Sequence, residues 1–397
     1  MSEASTSQKV YTLQFFLLCL SSFLFFGSFN MMIAELPAYL TKLGGEDYKG
    51  LIISLFTLTA GLSRPISGKL TDNIGRIPVM VFGAAVCFIC GFVYPFIGGV
   101  AAFLFLRFVH GLSTGFKPTA TVAYVADIVP ADRRGEAMGL SGISGTLGMA
   151  AGPALGSYIT LNFSLDYMFY ASSVMAILSV LILVGMKETL PIASRRPFHP
   201  RLLSISKSEI IEPRVFAPSL VMLLTYYSFG VIMTIIPDLT VHLGAENKGI
   251  FFTVFTLSSL LVRLVAGKMS DRFGRVVLLK VSTTVLTIAM LFIGWSHNIT
   301  ELLIGSALFG IAAGINSPII FAWAVDLCKA EHRGRAIATL FIAMELAIGL
   351  GALIGAWIFD NRPEMFSYAF WSGGILSLGA FLYLWLGVRN KPVKVLY

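Results

Sequence analysis

Apolar runs of membrane-spanning length recur along the whole chain, separated by short polar breaks and one longer one. They predict helices near residues 13–39, 49–68, 78–97, 99–125, 137–160 and 167–187. Six more follow near 214–240, 249–267, 277–296, 300–324, 334–358 and 366–388. A helix needs about 20 mostly apolar residues to cross the hydrocarbon core, and these runs are of that order. The first run is too long for the apolar core of a signal peptide and has no small-residue cleavage site, so it reads as a retained helix. Between the two sets of six lies a polar stretch, 188–213, with Pro191, Pro197, Pro200, Arg195, Arg196 and Arg201. The predicted fold class is all-α integral membrane, with twelve transmembrane helices in two six-helix bundles.

Composition narrows the class further. Hydrophobic residues make up 56% of the 397 positions and charged residues 13%, about half the ~25% usual in globular chains. A soluble protein of this length needs more polar surface than that, so lipid must be much of its solvent. The net charge of +8 would suit nucleic acid, but its placement excludes that reading. With both termini inside, 21 of the 29 Lys and Arg residues fall in cytoplasmic loops and tails, as the positive-inside rule requires. Arg64 and Arg263 lie just inside the membrane at cytoplasmic helix ends, only Lys42, Lys49, Lys248 and Arg362 lie outside, and Arg107 and Lys117 remain within a helix. The chain then divides into an N-terminal bundle (1–187), a cytoplasmic linker (188–213) and a C-terminal bundle with a short cytoplasmic tail (214–397). The expected location is a bacterial inner membrane. Cys19, Cys87, Cys90 and Cys328 sit in or beside apolar segments and read as buried small hydrophobes.

The two halves resemble each other in register. Pro37, Leu43 and Gly44 match Pro237, Leu243 and Gly244 at an offset of 200. Beyond a one-residue loop difference the offset is 199, pairing Gly50 with Gly249, Arg64 with Arg263, Gly111 with Gly310, Gly152 with Gly351 and Gly156 with Gly355. The bundles are therefore pseudo-symmetric, the plan of transporters that rock two parallel repeats about a midplane site.

The same register carries a loop motif. Gly68-Lys69-Leu70-Thr71-Asp72-Asn73-Ile74-Gly75-Arg76 recurs as Gly267-Lys268-Met269-Ser270-Asp271-Arg272-Phe273-Gly274-Arg275. Its glycines suit a tight turn between two helices, and its aspartate suits a helix N-terminus. Here the chain resembles the major facilitator superfamily, whose signature loops after the second and eighth helices have this form. Asn73 and Ile77 depart from basic residues usual in that loop. The resemblance implies a conformational latch of Asp72, Arg76 and Asp127, with Asp271, Arg275 and Asp326 as its counterpart. Arg107, followed by Gly111 and Gly115, is similar to the superfamily's fourth-helix motif, where an intramembrane arginine is associated with proton coupling. Gly148, Gly152, Pro153 and Gly156 resemble the fifth-helix motif of the drug:proton antiporters, although Gly-x-x-x-Gly spacing also serves ordinary helix packing.

Ionisable side chains at membrane depth cost at least ~2.5–3.5 kcal/mol each and mark function or a paired structural role. Glu35, Arg107 and Glu345 are the proton-coupling candidates. Glu35 and Arg107 lie at similar depth and are expected to pair. Glu345, near mid-membrane and matched by Thr146 in the repeat, either binds protons or a cationic group, or pairs with Arg64. Asn30, Lys117, Tyr226, Tyr227, Phe252, Phe255, Asn316 and Trp323 are candidates for the substrate cavity; aromatic groups with few polar atoms suit an amphipathic ligand.

The reading these features support is a secondary active transporter working by alternating access, exporting a small amphipathic compound or drug against protons. The alternative within transport is a symporter or uniporter for a small organic anion or nutrient. An enzyme or a membrane sensor is the alternative of another class. The five histidines are scattered, with no metal-ligand spacing and no nucleophile–base pair, so no metal and no cofactor beyond a proton gradient is expected. The partners expected are a small-molecule substrate, protons and the bilayer, with the chain working as a monomer.

The orientation is directly testable. A membrane-impermeant thiol reagent applied to intact cells is expected to label Gly98→Cys and to spare Ser208→Cys until the membrane is opened. The reverse pattern would invert the topology.

Overall fold

Thr12 opens the first helix: its backbone is extended and its hydroxyl accepts the Phe15 N–H at 3.3 Å. The computed structural model describes residues 12–129, 134–203, 211–328 and 333–387, with side chains described throughout except at 134–136, 268, 271, 333 and 334. Helix α1 (Leu13–Met31) leads through a tight turn into α2 (Leu36–Lys42). The sequence predicts one continuous helix here. Pro37, in the first turn of α2, lacks the N–H that would continue the ladder, and three-residue bonds such as Glu35 N to Met32 O (2.9 Å) take over.

The rest of the first half is α3 (Lys49–Asn73), α4 (Arg76–Val93), α5 (Val100–His110), α6 (Leu112–Ile128), α7 (Arg134–Asn162) and α8 (Leu165–Val184). The second half is α9 (Phe216–His242), α10 (Ile250–Phe273), α11 (Arg275–Gly294), α12 (Ile299–Leu327), α13 (Arg333–Phe359) and α14 (Phe366–Leu386). Among the described residues ten helical segments are long and apolar enough to cross a membrane. The predicted fourth span falls short because it divides at Gly111 into α5 and α6. The fifth, α7, is long enough, but its glycines and serines dilute its hydropathy.

Both loop motifs are more helical than expected. Gly68 and Gly267 lie inside α3 and α10, and the turns fall at Gly75 (φ 140°) and Gly274 (φ 94°), where only glycine is comfortable. The Glu188 carboxylate, from just beyond α8, accepts the Arg76 and Ile77 N–H groups at 3.0 and 2.8 Å. It thereby satisfies two free donors at the start of α4.

Packing follows the duplication. In the first half α1 lies against α7 and α8, α4 against α6 and α8, and α3 against α5 and α6. In the second, α9 lies against α13 and α14, α11 against α12 and α14, and α10 against α12. Between halves the main contacts are α3 with α13 and α7 with α10. Glycines set the closest approaches. A Cβ at Gly152 would stand 2.8 Å from the Gly27 carbonyl oxygen on α1, and one at its repeat partner Gly351 would collide with the Tyr227 carbonyl oxygen on α9. Gly148 and Gly156 likewise face the α1 backbone. The fifth-helix glycines thus do on α7 what α13 repeats against α9.

Gly152→Leu and Gly351→Leu are each expected to lower the melting temperature of the purified protein, at an overpacking cost of about 1–3 kcal/mol. Gly139→Ala, where a Cβ meets nothing within 4 Å, is the control and should not lower it.

Candidate functional site

The two faces of the bundle pair hold their charges differently. On the face bearing the loop motifs, Arg76 Nε meets Asp127 at 2.9 Å and its NH1 reaches Asp72 at 3.4 Å and the Thr71 carbonyl at 2.7 Å. Arg275 Nε meets Asp326 at 3.1 Å in the second half, while the Asp271 side chain lies outside the described residues. Arg76 therefore ties α3, α4 and α6 of one half together. All of these partners lie in the first half, so in this conformation Arg76 does not latch one half to the other, and a Cβ at Gly68, Gly142 or Gly267 would meet nothing within 4 Å.

The opposite face is closed across the halves. Lys49 Nζ, at the start of α3, meets Asp238 on α9 at 2.7 Å. Lys248 Nζ, just before α10, meets Glu35 in the α1–α2 turn, also at 2.7 Å. Lys49 and Lys248 are repeat counterparts at the 199-residue offset, so the clasp is reciprocal. Each half sends the lysine that precedes or opens its second span to a carboxylate on the first span of the other. Ser157 joins the second clasp, donating to Glu35 Oε1 at 2.9 Å and accepting the Lys248 N–H at 3.1 Å. Beside it Gly249 lies against the Pro153 backbone, closer than any side chain would allow.

This arrangement corrects one expectation: Glu35 and Arg107 do not pair. The α1–α2 turn points the Glu35 carboxylate at α7 and Lys248. Arg107 faces α3, donating to the Ile52 carbonyl at 2.8 Å and to the Tyr94 hydroxyl at 3.4 Å, with its guanidinium 4.5 Å from the Phe56 ring centre.

Between the halves lies a cavity of about 420 Å³. Of the cavity candidates, Asn30, Tyr226, Phe255 and Asn316 line it, as do Arg107 and Glu345. The other four do not. Lys117 points into the first half, donating to the Ser21 carbonyl at 3.2 Å over the Phe25 ring. Tyr227 turns to Ser372 on α14 (3.1 Å), one helical step from Tyr226. Phe252 and Trp323 are packed in apolar clusters. Sequence reasoning missed Phe26, Phe29 and Ile33, which line the cavity with Asn30. Phe26, Phe29 and Asn30 lie on α1 and Ile33 in the turn beyond it, but α1 has no marked polar face, so periodicity could not single these positions out.

Glu345 sits at the seam. Arg64 Nη2 donates to its Oε1 at 2.6 Å, from α3 to α13, and the guanidinium lies 4.1 Å from the Phe341 ring centre. Both side chains are nearly dry, at 5% and 9% exposed, so the pair is a buried link between halves. On the second half's side, Asn316 donates to Thr225 at 2.8 Å, and its side-chain Oδ1 is buried without a partner among the described residues.

The profile of the Major Facilitator Superfamily matches residues 18–224 and again 218–396. The chain belongs to the Major Facilitator Superfamily. It is therefore a multi-pass membrane transporter and not an enzyme. Multidrug resistance protein MdtG of Serratia proteamaculans is 25% identical over 397 residues, covering 96% of this chain and 95% of the relative. Multi-drug resistance efflux pump PmrA of Streptococcus pneumoniae is 27% identical over 360 residues, 87% of this chain and 88% of the pump. Two solved structures share the fold. The D-xylose-proton symporter has a TM-score of 0.79 at 17% identity, covering 95% of this chain and 98% of the symporter. The human organic anion transporter MFSD10 has a TM-score of 0.74 at 21% identity, covering 94% and 100%. The facilitator fold thus accounts for the paired bundles and the cavity between them.

Removing Lys248 leaves Glu35 buried and unpaired, which costs up to about 3–5 kcal/mol where water is excluded. Lys248 itself keeps some contact with solvent, so the low end applies. Lys248→Ala is expected to widen the spin-label distance between Phe163→Cys and Glu246→Cys across the closed face, and Glu35→Ala added to it should restore a narrower distribution. An unchanged distance in Lys248→Ala would remove the clasp from the account.

Proposed function

We propose that the protein exports a small amphipathic organic compound from the cytoplasm in exchange for protons. The observation that carries this reading is the Arg64–Glu345 pair, a buried ion pair that spans the seam between halves and forms part of the cavity wall. By the lysine and arginine bias of the sequence, the loop-motif face is cytoplasmic and the clasped face external. The conformation is then the loading state, with the aromatic cavity open to compounds inside the cell.

The chemistry follows from one shared site. Proton uptake neutralises Glu345 and leaves Arg64 buried without its counterion, which loosens the α3–α13 seam. A substrate that binds better while Glu345 is ionised and paired with Arg64 opposes that proton uptake. Two ligands that favour opposite states of one link are coupled as exchange requires. The relatives named as multidrug resistance proteins support export, and the apolar lining supports an amphipathic cargo.

Transport in proteoliposomes tests the reading. An acid interior is expected to drive accumulation of a naphthalene carboxylate, with alkalinisation of the lumen as protons leave. Glu345→Gln should lose the pH-driven accumulation while still binding the compound. Full accumulation by Glu345→Gln would overturn the assignment of Glu345, and movement of proton and compound in the same direction would make the protein a symporter.

A further inference from the structure

The cavity wall holds three arginines, Arg64, Arg107 and Arg263, against one carboxylate, Glu345. Arg64 and Arg263 are repeat counterparts, on α3 and α10, yet their surroundings differ in a way the duplication makes legible. Arg64 is neutralised by Glu345 and covered by Phe341, both on α13. The positions that correspond to these on α7 are Thr146 and Gly142. Thr146 carries no charge and its hydroxyl donates to the Gly142 carbonyl of its own helix at 2.8 Å. Gly142 leaves space, since a Cβ there would meet nothing within 4 Å. At Arg263 the repeat has thus lost both the counterion and the ring that cover the equivalent guanidinium. Among the described residues Arg263 makes no ion pair; its Nε is buried without a hydrogen-bond partner, as are Nε and Nη1 of Arg64, so the missing counterion is what sets Arg263 apart.

We infer that Arg263 is the anchor for an acidic substrate, so that the cargo is an amphipathic organic anion whose carboxylate or sulfonate takes the place Glu345 occupies beside Arg64. The vacancy above Gly142 and Thr146 admits the anionic head, and the aromatic wall, including Phe229 and Phe309, takes the body. A guanidinium with free N–H donors binds a carboxylate at up to two points in low-dielectric surroundings, where such bonds are strongest. A cationic compound meets a wall of net positive charge and is disfavoured. This inference rests on the transport reading above and names its substrate class.

Binding in lipid nanodiscs, with no gradient imposed, tests it apart from transport. The probes are 2-naphthaleneacetate, the neutral 2-naphthaleneacetamide and the cationic 2-(2-naphthyl)ethylamine, which share one ring body. Wild type is expected to bind the acetate at least about tenfold more tightly than the amide, the low end for a charge-assisted hydrogen bond. Arg263→Gln should bring that ratio close to one. Thr146→Glu should do the same while leaving Arg263 in place, because it installs the counterion found on α13; a melting temperature near wild type in either variant excludes misfolding as the cause. Arg263→Lys should keep part of the preference. Equal binding of acetate and amide by wild type, or a preference that survives both Arg263→Gln and Thr146→Glu, would overturn the anion site. Tight binding of the acetate without pH-driven transport would count against proton exchange and leave the site standing. Preferential binding and transport of the amine would reject the anion class and leave the exporter reading in place.

Discussion

A charge buried between two halves of a membrane protein must find its partner in the other half or face the cost of standing alone. The far face of this transporter is built on that constraint. Lys49 crosses to Asp238 and Lys248 crosses to Glu35, each at 2.7 Å, and the same repeat position supplies both lysines. Two weak points related by pseudo-symmetry close one mouth evenly, and neither needs a covalent link that would prevent reopening. With that face held, α3 rests on α13 and α7 on α10.

Glycine supplies the close packing that such a design needs. At Gly152 against Gly27, and at Gly351 against Tyr227, backbone lies on backbone, so each half packs tightly without long interdigitating side chains. Rigid halves and a seam made of a few ion pairs concentrate movement at the seam. The energetics therefore sit in a handful of residues, Glu35, Lys248, Lys49, Asp238, Arg64 and Glu345, while the apolar clusters on either side keep their packing.

Duplication also makes the departures from symmetry informative. Where the repeat is kept, as at Gly152 and Gly351 or Lys49 and Lys248, the residues serve architecture that both halves share. Where it is broken, as at Glu345 and Thr146 or Phe341 and Gly142, the difference lies on the cavity wall, and fold alone does not require it. Lys117 and Asn316 show the limit of that rule. They differ as well, but Asn316 faces the cavity while Lys117 is turned into its own half, toward Ser21.

Much of this was open to reading from the chain itself. Hydrophobic runs of spanning length, glycines and charges repeating at a near-constant offset, and the two loop motifs determined the membrane class, the duplicated plan and the family, because each depends on composition and spacing along one dimension. The partners of buried charges were a different matter. Glu35 and Arg107 matched in depth, yet depth says nothing of azimuth, and the turn before Pro37 rotates Glu35 toward Lys248. Tyr226 and Tyr227 are neighbours in sequence with opposite fates, one in the cavity and one on α14, since a single residue turns a helix face by about 100°. Helices apolar on every side conceal which side meets the other half, so only their packing in space decided where the cavity lies and which charges meet across it.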